Sequence, residues 1–93
     1  MSQKFSRQIK IQNLKGLHAR ATAAFVKLAE TFKSDVSVEK VGTMTVSGKS
    51  IMGLLMLGVP LGETITLTTE GADAELAMTA LCDLIDNRFG EGN

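Results

Sequence analysis

The single histidine of the chain, His18, lies in the segment Gly16-Leu17-His18-Ala19-Arg20. Small and apolar residues recur behind it at helical spacing, which predicts an amphipathic helix that begins directly after the histidine. The first residues of a helix have N–H groups without intrahelical partners, and the helix dipole makes that end positive. With Arg20, such an end could bind an anion of the size of phosphate. A histidine at that place could carry a phosphoryl group on a ring nitrogen.

Each of these residues also has a plain structural explanation. Gly16 alone indicates only a turn, and Arg20 alone is more often a solvated helix residue than an anion ligand. A lone histidine at a helix start is often an ordinary cap or surface residue. The chemical hypothesis needs all of them together, with the backbone N–H groups of residues 19–21 (Ala19, Arg20 and Ala21) as the phosphate-binding donors.

Composition narrows the classes of function. The chain has 93 residues, which predicts one domain over 1–93, and its ten basic and ten acidic residues balance. It has no basic run, no Trp and no Tyr, so we expect no nucleic-acid partner. The single cysteine, Cys82, cannot form an internal disulfide, which is typical of a cytoplasmic protein. A polar N-terminus and a short, interrupted apolar run at 51–61 predict neither a targeting segment nor membrane insertion.

Hydrophobic periodicity predicts the order β-α-β-β-α-β-α and hence a two-layer α+β sandwich with one wet sheet face. The predicted elements are a strand around 5–11, a helix over 19–32, strands from 34 or 35 and over 43–47 that pair as an antiparallel hairpin, a short helix over 51–57, a strand over 63–69 and a last helix whose apolar face runs from 74 to 89. We expect a frayed tail at 90–93.

The pattern also assigns side chains to the core. The predicted core-facing sets are Ala21, Ala24, Phe25, Leu28, Ala29 and Phe32 in the first helix, Val36 and Val38 in the second strand, Met44 and Val46 in the third, Ile65 and Leu67 in the fourth, and Ala74, Ala77, Met78, Leu81, Cys82, Ile85 and Phe89 in the last helix. Within the short helix, Leu54 and Leu57 form one inward stripe. This leaves Ile51, Met52 and Leu55 partly exposed near His18, as a surface that docks partners would be.

The 16–20 segment, the order of the elements and the block Gly48-Lys49-Ser50-Ile51-Met52-Gly53 together resemble the HPr family. These proteins are the small histidine phosphocarriers of the bacterial phosphoenolpyruvate-dependent phosphotransferase system. The resemblance extends from about residue 5 to residue 89. It implies an open-faced sandwich in which three helices cover one face of a four-stranded antiparallel sheet.

The resemblance also implies a role for each matching residue. His18 would be phosphorylated on Nδ1 by enzyme I and would pass the phosphoryl group to a IIA protein or domain, and Arg20 would neutralise the phosphate. Ser50 would be the serine that an HPr kinase/phosphorylase modifies in some bacteria. Ile51, Met52 and Leu55 would contact enzyme I and the IIA proteins. Such a carrier is a covalent intermediate rather than an enzyme, and we expect a monomer that needs no metal and no cofactor.

Two features of the sequence leave alternatives open for the role of the protein within the family. The chain has Ala21 where the family usually has proline, which puts transfer rates and partner preference in question. The 54–57 segment is similar to the regulatory, nitrogen-linked branch, whereas the 49–53 segment is similar to carriers controlled by the kinase. A regulatory paralogue that acts mainly by binding partners is therefore the alternative to a carrier for sugar uptake. An independent enzyme ranks last, because no second catalytic group and no metal-ligand spacing accompanies His18.

Overall fold

In the computed structural model, which describes residues 3–91, four strands and three α-helices follow each other in the order β-α-β-β-α-β-α. The elements are β1 (Gln3–Lys10), α1 (Ala19–Ala29), β2 (Asp35–Lys40), β3 (Thr45–Ser47), α2 (Ile51–Leu57), β4 (Thr64–Gly71) and α3 (Ala74–Asp86), and a 3-10 turn (Arg88–Gly90) follows the last helix. The predicted order of elements is confirmed.

The four strands form one antiparallel sheet in the order β1-β4-β2-β3. Strands β2 and β3 pair as the predicted hairpin, with Val38 opposite Val46. On the face without helices, hydroxyl side chains line up across neighbouring strands, and Ser6 and Thr68 share a hydrogen bond of 2.9 Å. The open-faced sandwich expected from the sequence is therefore the observed fold.

The core lies between the sheet and the helices. Side chains from both layers are almost completely buried there, because each strand and each helix contributes one apolar face. The largest of these apolar side chains are Ile11, Phe25, Val38, Leu54, Ile65, Leu67, Leu81 and Ile85. All seven side chains predicted for the last helical face are buried, although Phe89 lies in the 3-10 turn beyond the end of α3.

Helix α1 differs from its prediction in length and in its buried face. It ends at Ala29, and the next residues form i to i+3 bonds that tighten the chain, with Thr31 N–H donating to Leu28 O at 3.0 Å. The Thr31 hydroxyl also donates to that carbonyl, at 2.6 Å. Thr22 and Val26 are buried, whereas Leu28 is only partly so. The prediction missed Thr22 because it counted only apolar residues.

The third strand starts later than expected. Thr43 N–H donates to Lys40 O at 3.0 Å, so residues 41–44 form the connection and β3 begins at Thr45. Met44 was predicted to point inward but is 47% exposed in this turn. Its partner in that prediction, Val46, packs against the core as expected.

Candidate functional site

The loop before α1 is shaped by a close approach of two backbone segments. Gly16 has φ +64°, and a Cβ at this position would lie 2.2 Å from Val59 O. The neighbouring Leu17 N–H donates to the same carbonyl at 2.8 Å, which ties the loop to the segment after α2. Only glycine combines this left-handed conformation with so close a contact. The loop consequently delivers His18 to the start of α1 in one orientation.

His18 is the N-cap residue of α1. Its backbone is extended, its carbonyl accepts the helical bond from Thr22 N–H at 2.8 Å, and its Nδ1 accepts from Arg20 N–H at 3.3 Å. A backbone N–H can only donate, so Nδ1 presents a lone pair toward the helix start. The proton of the neutral ring then belongs on Nε2. This is the arrangement in which Nδ1 can act as a nucleophile.

The other ring nitrogen faces a carboxylate that the sequence did not point to. His18 Nε2 hydrogen-bonds Glu91 Oε2, and the second oxygen of this carboxylate, Oε1, accepts from Asn13 Nδ2 at 3.0 Å. Burial raises the pKa of the Glu91 carboxyl, but the bonds from Asn13 and His18 outweigh burial and lower the pKa on balance. The group is therefore ionised at neutral pH, and what it contributes to stability is lost as the pH falls through this depressed pKa.

Arg20 completes the surroundings of the histidine. Its side chain borders the same open cavity of about 270 Å³ as His18, and the cavity is lined by Leu14, Lys15, His18, Arg20, Phe89, Gly90 and Glu91. Among residues 3–91, no hydrogen bond or ion pair holds the guanidinium. The charge of Arg20 is therefore available to an anion that enters the cavity, where guanidinium geometry suits phosphate oxygens.

The first turn of α1 presents the backbone N–H donors that an anion site needs. Ala19 and Arg20 are exposed, and Ala21 is the third residue of the helix. The first bond back along the helix comes from Thr22 N–H, so the Ala21 N–H has no protein partner in the described part of the chain. These N–H groups lie at the positive end of the helix dipole. Their proposed role as phosphate donors is compatible with this placement.

We expect Ala21→Pro to be tolerated and to stabilise the protein by up to about 1 kcal/mol. Proline at this position loses no hydrogen bond, suits the helical φ and reduces the freedom of the unfolded chain. Chemical denaturation of both proteins measures the difference in the free energy of unfolding. A loss of more than about 2 kcal/mol would contradict this expectation and would mean that the buried Ala21 site has no room for the ring.

The second motif serves the start of α2. Ser50 is its N-cap, with Oγ accepting from Gly53 N–H at 3.0 Å, as predicted, and Gly58 ends the helix in the left-handed conformation. Lys49 Nζ donates to Phe32 O at 3.0 Å, just beyond the end of α1. The motif therefore has a structural role that is independent of any modification of Ser50.

Helix α2 divides its apolar side chains as the sequence predicted. Leu54 and Leu57 are buried, while Ile51, Met52 and Leu55 are 46%, 68% and 40% exposed. The structure does not bring these three to the histidine cavity, whose lining contains no residue of α2. They form a separate apolar surface on the helix that packs beside α1. Met56, which the sequence did not single out, is 68% exposed on the same helix.

Sequence reasoning missed Asn13 and Glu91. Asn13 is completely buried although it belongs to a loop, and Glu91 lies in the segment predicted to fray. Within that segment, Gly90 ends the 3-10 turn and Glu91 is fixed by two side chains, while residues 92 and 93 lie outside the described range. The only local signal for either residue was the position of Asn13, three residues before Gly16.

Residues 3–91 contain neither a metal-binding cluster nor a membrane-spanning helix. No cluster of three or more His, Cys, Asp or Glu side chains there could hold a metal ion. No helix there is both long enough and apolar enough to span a membrane.

Comparison with known proteins identifies the family. The family model described as the PTS HPr component phosphorylation site matches residues 5–87. A phosphocarrier protein HPr from Neisseria meningitidis serogroup A is 54% identical over 84 residues, which are 90% of this chain and 93% of that protein. A phosphocarrier protein NPr from Shewanella violacea is 41% identical over 90 residues, or 97% of this chain and 98% of that protein.

Solved structures agree with the sequence relatives. A crystal structure of HPr from Thermoanaerobacter tengcongensis superposes with a TM-score of 0.89 at 47% identity, covering 94% of this chain and 97% of that one. A crystal structure of an HPr dimer from the same organism has a TM-score of 0.75 at 49% identity and covers 89% and 94% of the two chains. The monomeric state expected from the sequence thus stays a prediction. The chain belongs to the HPr family of phosphocarriers of the phosphotransferase system.

Proposed function

We propose that this protein accepts a phosphoryl group from phosphorylated enzyme I on Nδ1 of His18 and passes it to IIA proteins. The observation that carries the proposal is the orientation of the ring. Nδ1 presents its lone pair at the start of α1, and Nε2 is held by Glu91. The His18 side chain is 26% exposed and borders the open cavity in front of α1. A partner can therefore reach the nucleophile.

The proposed transfer uses groups that are already in place. The Nδ1 lone pair forms a bond to phosphorus while the bond between phosphorus and the donor nitrogen of enzyme I breaks. The new phosphoryl oxygens replace Nδ1 as acceptors of the Arg20 N–H, and the N–H groups of Ala19 and Ala21 lie in the same turn. The Arg20 guanidinium balances part of the added negative charge. Transfer to a IIA protein reverses these steps with a new acceptor.

The apolar surface of α2 is proposed as the docking site for both partners. Ile51, Met52 and Leu55 are exposed on a helix that packs against α1, so a partner covering them would reach the histidine from the side. Such adaptable apolar side chains suit a protein that binds several partners in turn. The carrier thereby needs no catalytic machinery of its own beyond the acceptor and its anion site.

The test uses phosphoenolpyruvate and enzyme I with the intact protein. We expect the mass to increase by one phosphoryl group that is labile in acid and stable in alkali. Fragmentation should place this group on the peptide that contains His18, and ³¹P NMR should assign it to Nδ1. A IIA protein should then remove it. A protein that stays unmodified, or that is modified at another residue, would contradict the proposed function.

Ser50 is proposed as a regulatory site for an HPr kinase/phosphorylase. The Ser50 oxygen already accepts the Gly53 N–H at the positive end of α2, so an added phosphate would be favoured by the helix rather than repelled. The modification would make partner binding less favourable, because the partner would have to desolvate a charge next to Ile51 and Met52. Modification would thus weaken binding without reshaping the domain.

We expect Ser50→Asp to raise the apparent KM for enzyme I-dependent phosphorylation several-fold with little change in thermal stability. Aspartate retains the N-cap oxygen and adds a negative charge to the docking surface. Ser50→Ala is the matched control, because it should lose about 1 kcal/mol of stability with the missing cap while leaving KM unchanged. An unchanged KM in Ser50→Asp would contradict the position of the docking surface.

A second candidate is a regulatory carrier of the nitrogen-linked branch that acts mainly by binding partners. The similarity to a protein named NPr, beside several named HPr, favours keeping it. Phosphorylation rates with the enzyme I and IIA proteins of each branch separate the two candidates. Faster exchange with the sugar-uptake partners supports the first candidate, and faster exchange with the nitrogen-linked partners supports the second.

A further inference from the structure

The end of the described chain folds back onto the histidine. Helix α3 ends at Asp86, and then Arg88, Phe89 and Gly90 follow with φ values of +54°, +55° and +77°. Three successive residues in the left-handed region reverse the direction of the chain. Phe89 is buried and fixes this reversal to the core. The turn brings Glu91 to the cavity in front of α1.

Asn13 connects this turn to the loop that carries the histidine. Its Nδ2 donates to Gly16 O at 2.7 Å and to Glu91 Oε1 at 3.0 Å. Both partners are acceptors, so the orientation of the amide follows from them. Asn13 is completely buried, whereas a polar side chain in a loop is usually exposed. Glu91 is therefore held on one oxygen by a buried donor and offers the other oxygen to His18.

We propose that Asn13 and Glu91 are positioning residues for phosphoryl transfer, in which the carboxylate held by Asn13 keeps the proton of His18 on Nε2. The inference rests on the proposed function and deepens it. It explains why Nδ1 rather than Nε2 would be phosphorylated. Two groups decide this, the Arg20 N–H at Nδ1 and the Glu91 carboxylate at Nε2. The two contacts favour the same tautomer and the same ring orientation.

The carboxylate also balances charge during the transfer. When Nδ1 bonds to phosphorus and the donor's P–N bond breaks, Nε2 retains its proton and the ring gains positive charge. Glu91 already accepts the hydrogen bond from that proton, and a bond between opposite charges is stronger than a neutral one. Because Glu91 binds the nitrogen that is not phosphorylated, it can remain in place when the phosphoryl group arrives.

The test compares Glu91→Ala and Glu91→Gln with the unchanged protein. We expect Glu91→Ala to slow enzyme I-dependent phosphorylation about tenfold, the lower end for a charge-assisted bond because the site is open to water. The phosphorylation rate of Glu91→Gln should fall between those of Glu91→Ala and the unchanged protein, because its amide oxygen can accept the hydrogen bond without balancing the charge. NMR of the ring nitrogens in alkaline solution should show a protected Nε2 proton that is lost in Glu91→Ala. Glu39→Ala, on the sheet face opposite the helices, is the matched control.

The readouts separate this inference from the function on which it depends. The NMR measurement reports the tautomer whether or not the protein is ever phosphorylated. If the unchanged protein accepts no phosphoryl group, the proposed function fails. If it does accept one, and Glu91→Ala reacts as fast as Glu39→Ala or faster, the positioning role is overturned. An unchanged Nε2 proton signal in Glu91→Ala overturns it as well.

Discussion

A His18→Ala variant is expected to take up no phosphoryl group from phosphorylated enzyme I. Within residues 3–91, Nδ1 of this side chain is the nitrogen nucleophile at the start of α1. The guanidinium of Arg20 beside it has no lone pair to accept the group. The measurement is the intact mass after incubation with phosphoenolpyruvate and enzyme I. The predicted change is a complete loss rather than a slower rate, because the bond-forming atom is removed.

The same variant should remain folded. His18 is partly exposed, and alanine loses only the cap contact to Arg20 N–H and the bond to Glu91. An N-cap replaced by alanine costs about 1 kcal/mol. Thermal unfolding should therefore show a lower Tm and an unchanged cooperative transition. Acid-labile phosphate on the folded variant would contradict the assignment of His18 as the acceptor.

The helix-start site could be predicted because its signals are local. Gly16 marks the turn, and the periodicity of the next residues predicts α1, so the place of His18 follows from a few neighbours along the chain. Ser50 and Gly58 likewise bound α2 at the predicted positions. In each case the residue that favours a turn or a helix cap lies within one helical turn of the backbone that it shapes.

The carboxylate that binds His18 could not be predicted, because the signals that place it are not local in the sequence. Glu91 is 73 residues away in sequence, within a tail that has no hydrophobic period. Its position depends on the left-handed conformations of Arg88 and Phe89, which ordinary side chains seldom adopt. The burial of Phe89 stabilises that turn, and this burial exists only in the complete fold. The burial of Met44 was also mispredicted, because the alternating pattern of the strand extends in the sequence to a residue that lies in a turn.

Gly16→Ala is expected to lower the free energy of unfolding by about 3 kcal/mol or more. A side chain in the left-handed conformation costs about 1 to 2 kcal/mol. The new Cβ would also lie 2.2 Å from Val59 O and 2.8 Å from Pro60 Cα, which are backbone atoms that cannot rotate away. The loop would have to separate from the segment after α2, and the bond from Leu17 N–H to Val59 O would be lost.

Gly62→Ala separates the two causes of that loss. Gly62 has φ +89°, and a Cβ there would meet nothing within 4 Å, so this variant carries the conformational cost without the collision. It should lose about 1 kcal/mol in chemical denaturation. Because the loop also places His18, Gly16→Ala should reduce the rate of phosphorylation in conditions where the protein is still folded, and Gly62→Ala should not. Equal losses of stability in the two variants would mean that the close approach to Val59 does not constrain the loop.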